Sequence, residues 1–132
     1  QDAVHVDLHE MVIGMPATVP AGDHIWQIEN TGSMPHMIVV MKANGPLTDD
    51  EAMNAIMLDS GAPGATPVAS GSVGDPTTFV PVAGTGAFAS GLTQLVEANL
   101  EPGTYVAACF VQGPGDVGLH VMLGMYKVFT VA

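Results

Sequence analysis

At 132 residues the chain has room for one real core but not for two, and it reads as a single domain over 1–132. Apolar residues make up 48%, and Gly and Pro number 16 and 10, a composition that favours a sandwich or barrel of strands over a helical bundle. Thirteen acidic residues against Lys42 and Lys127 give a formal charge of -11, which argues against electrostatic binding of nucleic acid or anionic lipid and suits either a basic or neutral partner or, since the acids are scattered, solubility alone.

Val4, Val6 and Leu8 alternate with His5, Asp7 and His9, which predicts a first strand over 3–13 with one face buried. The two histidines and Asp7 share the wet face, where a solvated surface explains them better than a Zn(II) or Cu(II) site. Pro16, Pro20 and Ala21-Gly22-Asp23 mark a turn, with His24 beside it and exposed. Ile25, Trp26 and Ile28 belong to a second strand that stops near Asn30-Thr31-Gly32, and residues 36–42 form a third, mostly buried one, broken by Asn44-Gly45-Pro46.

Thr48-Asp49-Asp50-Glu51 has the spacing of a capping box with acids in the first turn, which predicts a short helix over 49–58 that Gly61 stops. Ala52, Met53, Ile56 and Met57 share one side of it and should pack it as a flap over the strands. Residues 61–76 are rich in Gly, Ala, Pro and Ser without periodicity and read as a long surface excursion. Strands resume over 77–82 and 92–98, and a last pair runs over 104–111 and 126–131. No apolar stretch approaches the ~20 residues that span a bilayer, so no membrane insertion is expected. The start at Gln1 rather than Met suits a mature exported form, periplasmic or extracellular.

Cys109 is the only cysteine, so the chain has no internal disulfide. It closes the strand-like run Tyr105-Val106-Ala107-Ala108-Cys109-Phe110, with His120 and Met125 following, while His36 heads the third strand. Two His, one Cys and one Met are a copper ligand set, because thiolate and thioether suit Cu(I) and imidazole serves both oxidation states. A Cys-His hydrolase would use some of the same groups, but nothing identifies an oxyanion hole or an orienting third residue. No phosphate-binding Gly loop followed by Lys-Ser or Lys-Thr is present either.

Two segments resemble the cupredoxins, the small blue copper proteins of the plastocyanin and azurin type. In the first, Trp26 to Met41, an Asn-x-Gly turn leads into Pro35-His36 and an apolar strand. In the second, Leu100-Glu101-Pro102-Gly103-Thr104-Tyr105 leads to Cys109, and His120 is followed by Gly124-Met125 and the closing strand Lys127 to Val131. The resemblance implies an all-β Greek-key β-sandwich holding one mononuclear copper, with His36, Cys109 and His120 as equatorial ligands and Met125 as the weak axial one. It implies an electron carrier rather than an enzyme, a monomer that meets its redox partner protein through an apolar patch to which Met34, Pro35, Leu119 and Met122 contribute.

The chain departs from the family's pattern in three places. Ten residues, 110–119, separate Cys109 from His120, where typical members have far fewer. Met37 and Phe110 stand where the family commonly has Asn and Ser or Thr, which predicts the loss of the usual hydrogen bonds around the site. Met122 also competes with Met125 for the axial position, because in an extended segment it shares the face of His120. Two other functions fit the same residues: a Cu(I) chaperone or store using Met34, Met37, Met122 and Met125 around the two histidines, and a metal-free cupredoxin-like interaction module.

Overall fold

The computed structural model describes residues 3–61, 64–111 and 120–132, and the side chains of all of these except Met122 and Leu123. Among the described residues, nine strands form two sheets. The first has the order β2 (Val12–Gly14), β1 (Val4–His9), β4 (Gly22–Asn30), β7 (Thr93–Leu100). The second runs β3 (Thr18–Val19), β9 (Tyr126–Val131), β8 (Gly103–Ala108), β5 (Val39–Lys42), β6 (Val80–Gly84). β1 lies parallel to β4 and β3 parallel to β9, and the other pairings are antiparallel. The expected β-sandwich with one short helix is what the chain forms.

Period-two alternation builds the layer between the sheets. Val4, Val6 and Leu8 of β1 and Trp26 and Ile28 of β4 pack in one core with Tyr105 and Ala107 of β8 and Phe129 and Val131 of β9. Phe129 joins the sheets, its ring centroid 5.8 Å from that of Trp26 and 5.6 Å from that of Tyr105, with which it stacks at 19°. The Tyr105 hydroxyl donates to the Glu101 carbonyl at 2.7 Å, so its polar tip is satisfied at the edge of the core.

Helix α1 (Asp49–Ser60) starts at the capping box read from the sequence: the Thr48 hydroxyl accepts from the Glu51 N–H, and the Glu51 carboxylate accepts from the Thr48 N–H. It runs two residues past Leu58 and ends on Gly61, whose φ of 73° is one that glycine adopts without steric cost. Ala52 and Ile56 pack on Val106 and Ala108 of β8. That strand is therefore buried on both faces, which is why it reads as an unbroken apolar run. Met53 and Met57 lie one residue further round the turn and instead line a groove with Val68 and Val73.

Several boundaries differ from the sequence pattern. The expected strand 3–13 folds back on itself at Glu10 and Met11, where Met11 takes a φ of 61°, and β2 pairs with β1 as a hairpin. Residues 76–78 form a single 3₁₀ turn, which moves the start of the next strand to Val80. His24 is buried rather than exposed, because β4 begins at Gly22 and position 24 therefore faces inward with Trp26 and Ile28. Its Nε2 lies 3.1 Å from the Ala21 carbonyl. His9 pairs with Asp7 at 2.6 Å on the outer face, as a solvated surface would. No helix among the described residues is long and apolar enough to cross a membrane.

The irregular 64–76 segment is fixed by side chains. Asn54 exchanges two hydrogen bonds with the Thr66 backbone, at 2.7 and 2.8 Å. Asp75 accepts from the Gly71 N–H at 2.8 Å and from the Thr77 N–H and hydroxyl at 3.0 and 2.8 Å. These donors hold the Asp75 carboxyl below its ordinary 3.8. Its stabilisation is therefore in place above that value and fades as pH falls through it toward the folded one. Asp75→Asn should flatten the acid limb of a stability-against-pH curve measured by thermal melting. An unchanged limb would remove Asp75 from this role.

Candidate metal centre

The site lies at the end of the sandwich where β4 stops and β5 and β8 begin and finish. Asn30, fully buried at the end of β4, donates through its side-chain amide to the carbonyls of Met34 at 2.9 Å and Phe88 at 3.0 Å, while its side-chain oxygen accepts from the Gly32 N–H at 3.0 Å. One side chain thus fixes the turn that delivers His36. Regular pairing in the expected strand 36–42 begins only at Val39; His36 itself makes an isolated bridge with Phe88, exchanging backbone hydrogen bonds at 3.2 and 2.9 Å.

Antiparallel pairing of Val39 with Ala108 carries the chain around His36 alongside Cys109. The Cys109 N–H donates to the Met125 carbonyl at 3.2 Å, and the Met125 N–H to the His120 carbonyl at 3.0 Å. A 3₁₀ turn, His120–Leu123, and Gly124 with a φ of 103° link these two residues. Of the ten-residue connection 110–119, residues 112–119 lie outside the described residues. Its ends meet nonetheless, since the His120 N–H donates to the Val111 carbonyl at 2.7 Å, so its length does not separate Cys109 from His120.

His36, Cys109 and His120 are all fully buried, and one donor atom of each lies within 4.8 Å of the others. His36 Nδ1 is 3.2 Å from His120 Nδ1, and Cys109 Sγ is 3.9 Å from the first nitrogen and 3.7 Å from the second. Two donors on one first-row ion, at about 2.0 Å for nitrogen and about 2.3 Å for sulfur, can be no more than roughly 4.3 Å apart. All three pairs meet that limit, so the side chains fit a single ion. Among the described residues no other group of three His, Cys, Asp or Glu side chains does so. Met125 is fully buried and belongs to the same core as Cys109. The side chain of Met122, its rival in the sequence, lies outside the described part, as does Leu119, while Pro35 is exposed and Met34 half-buried.

Burial pushes the Cys109 thiol up, opposed by hydrogen bonds to the sulfur from the backbone of Met37 and Val111. The Met37 N–H lies 3.4 Å from Sγ. Two backbone N–H groups thus reach the sulfur, while the apolar side chains of Met37 and Phe110 add no hydrogen bond of their own. Burial also pushes the His36 imidazole down, against the opposing pull of Glu10, which favours the neutral ring that a metal requires.

Glu10 is the residue that sequence reasoning missed. From the β1–β2 turn its Oε1 accepts from the N–H groups of Ser33 at 2.8 Å and Met34 at 3.1 Å and meets His36 Nε2 at 3.1 Å. Burial raises its pKa, but these hydrogen bonds together outweigh that and hold it at about 2. Phe88, whose backbone frames His36, was also passed over. Neither carries a signal in the local sequence, since each reaches the site only through the fold.

No protein-family model and no curated protein sequence matches the chain. Solved structures do. The dithionite-reduced auracyanin of Roseiflexus castenholzii is 23% identical, with a TM-score of 0.60 over 98% of this chain and 96% of that one. The azurin Az-iso2 of Methylomonas sp. strain J is 17% identical, with a TM-score of 0.56 over 98% of this chain and 97% of that one. Auracyanin A of Chloroflexus aurantiacus, described as a "blue" copper protein, is 20% identical, with a TM-score of 0.53 over 99% of this chain and all of that one.

Proposed function

Because the chain has the cupredoxin fold, we propose that it binds one copper ion through His36, Cys109 and His120, with Met125 as weak axial ligand, and carries single electrons between redox partner proteins. The observation behind this reading is the convergence of two imidazoles and one thiol, all fully buried, on one point. Copper held there supplies a one-electron couple. The chain's own contribution is rigidity: the Asn30 amide, the Phe88 bridge and the Cys109–Met125 hydrogen bond hold the donors in position, so a change of charge need not move them.

Burial of all three donors also favours a retained ion over the exposed, exchanging one that a Cu(I) chaperone hands on. The protein acts as a carrier without catalysis of its own, exported to the periplasm or cell exterior, as a monomer. Its net charge of -11 suits a partner that is basic or neutral where the two dock.

Titrating the metal-free protein with Cu(II) should give one equivalent bound, an intense thiolate-to-copper absorption in the visible and a reversible one-electron wave. Ligation deprotonates the thiol, so apparent affinity should rise about tenfold per pH unit below the thiol's pKa. Tight Cu(I) binding with no reversible wave would instead select the chaperone, and a freely titratable thiol in excess copper the metal-free module.

A further inference from the structure

We propose that Glu10 is a positioning residue for the metal centre: its carboxylate fixes the proton of His36 on Nε2, aims Nδ1 at Cys109 and His120, and biases a bound copper toward Cu(II). This rests on the copper reading above and adds a residue to it. Oε1 of Glu10 is the shared acceptor for two backbone N–H groups and one imidazole nitrogen, all from the four residues Ser33 to His36. A carboxylate oxygen can only accept, so the imidazole nitrogen facing it must be the one that carries hydrogen. Nδ1 is then left with its lone pair, and that is the atom 3.2 Å from His120 Nδ1 and 3.9 Å from the Cys109 sulfur.

Two further observations show that the contact is built into the fold. His36 has no exposed side-chain surface, whereas Glu10 is 35% exposed, so the carboxylate joins a buried ring to the protein surface. Gly32 lies directly over the pair: a Cβ there would collide with the Glu10 carboxylate and come within 2.9 Å of His36 Nε2. Only glycine leaves the space in which this hydrogen bond forms. The β1–β2 hairpin, formed where a longer strand was expected, is what brings Glu10 to that position.

A carboxylate behind a metal-bound imidazole raises the basicity of the ring and adds negative charge near the ion, and both effects favour the more highly charged oxidation state. Glu10→Gln keeps an oxygen able to accept the same three hydrogen bonds but removes the charge. The variant should keep the thiolate-to-copper band while its preference for Cu(II) over Cu(I) falls by about tenfold, an upward shift of about 59 mV in the one-electron potential. Gly32→Ala, which forces a methyl into the contact, should shift the potential the same way and also weaken Cu(II) binding.

The metal-free protein provides a separate readout. Nitrogen-15 NMR of the His36 ring should show the Nε2–H tautomer in the wild type. An Nδ1–H tautomer there, or a potential unchanged in both variants with the band intact, would overturn the role of Glu10. Failure of the wild-type protein to develop the band would instead count against the copper reading, whichever tautomer the ring adopts.

Discussion

Replacing Cys109 with Ser should abolish the thiolate-to-copper band and weaken Cu(I) binding by more than about 100-fold, because loss of a supporting partner alone costs about 10- to 100-fold and here a ligand itself is lost. Sulfur is the soft donor of the set, and a hydroxyl neither ionises near neutral pH nor matches thiolate affinity for Cu(I). The substitution is otherwise mild. Serine is close to cysteine in size, and its oxygen can take up the hydrogen bonds that the Met37 and Val111 backbone give the sulfur. Thermal melting of the metal-free variant should therefore stay near the wild-type value while copper titration followed by absorbance and a Cu(I)-competition assay reports the loss. Retained Cu(I) affinity in Cys109→Ser would exclude the cysteine as a ligand.

Phe129→Ala should destabilise the metal-free protein by about 3–5 kcal/mol. Phe129 is 1% exposed and touches aromatic partners in both sheets, Trp26 in one and Tyr105 in the other. Truncation removes the ring's own burial and leaves a cavity that neither stiff neighbour can fill. That cost is a large part of the roughly 5–15 kcal/mol by which domains are usually stable. Urea unfolding followed by Trp26 fluorescence would measure it, since the chain's only tryptophan reports on the altered contact. The site should be spared. Phe129 pairs with Tyr105, four residues and about 14 Å along β8 from Cys109, so the folded variant should keep its copper spectrum. A loss under about 1 kcal/mol would mean that the surroundings close over the gap, which the packing around Phe129 argues against.

Much of this architecture could be read from residues with strong local signals. The capping box gave the start of the helix to the residue, and the Tyr105–Phe110 run marked the central strand. The His36, Cys109, His120 and Met125 set stood out because its chemistry is unusual and its order resembles that of a family. What could not be read was non-local. Glu10 is an ordinary acidic residue in a turn, and its meaning depends on β1 lying parallel to β4, which brings it under the loop at 33–36. His24 looked like a turn residue because the start of β4 was placed too late, and a shift in where a strand begins decides which face each side chain takes. The backbone hydrogen bonds to Cys109 were hidden for a different reason: sequence shows which side chains are present but not which backbone N–H groups converge.

The donors of the site come from distant parts of the chain, with His36 separated from Cys109 by 73 positions and from His120 by 84. Contacts of such sequence separation require the chain entropy of closing large loops to be overcome first. No early fragment can present all three donors together, so a nascent chain offers copper no complete trap. A copper ion bound there would meet a cup that folding has already shaped, its uptake an event in the life of the finished protein rather than a step in its making.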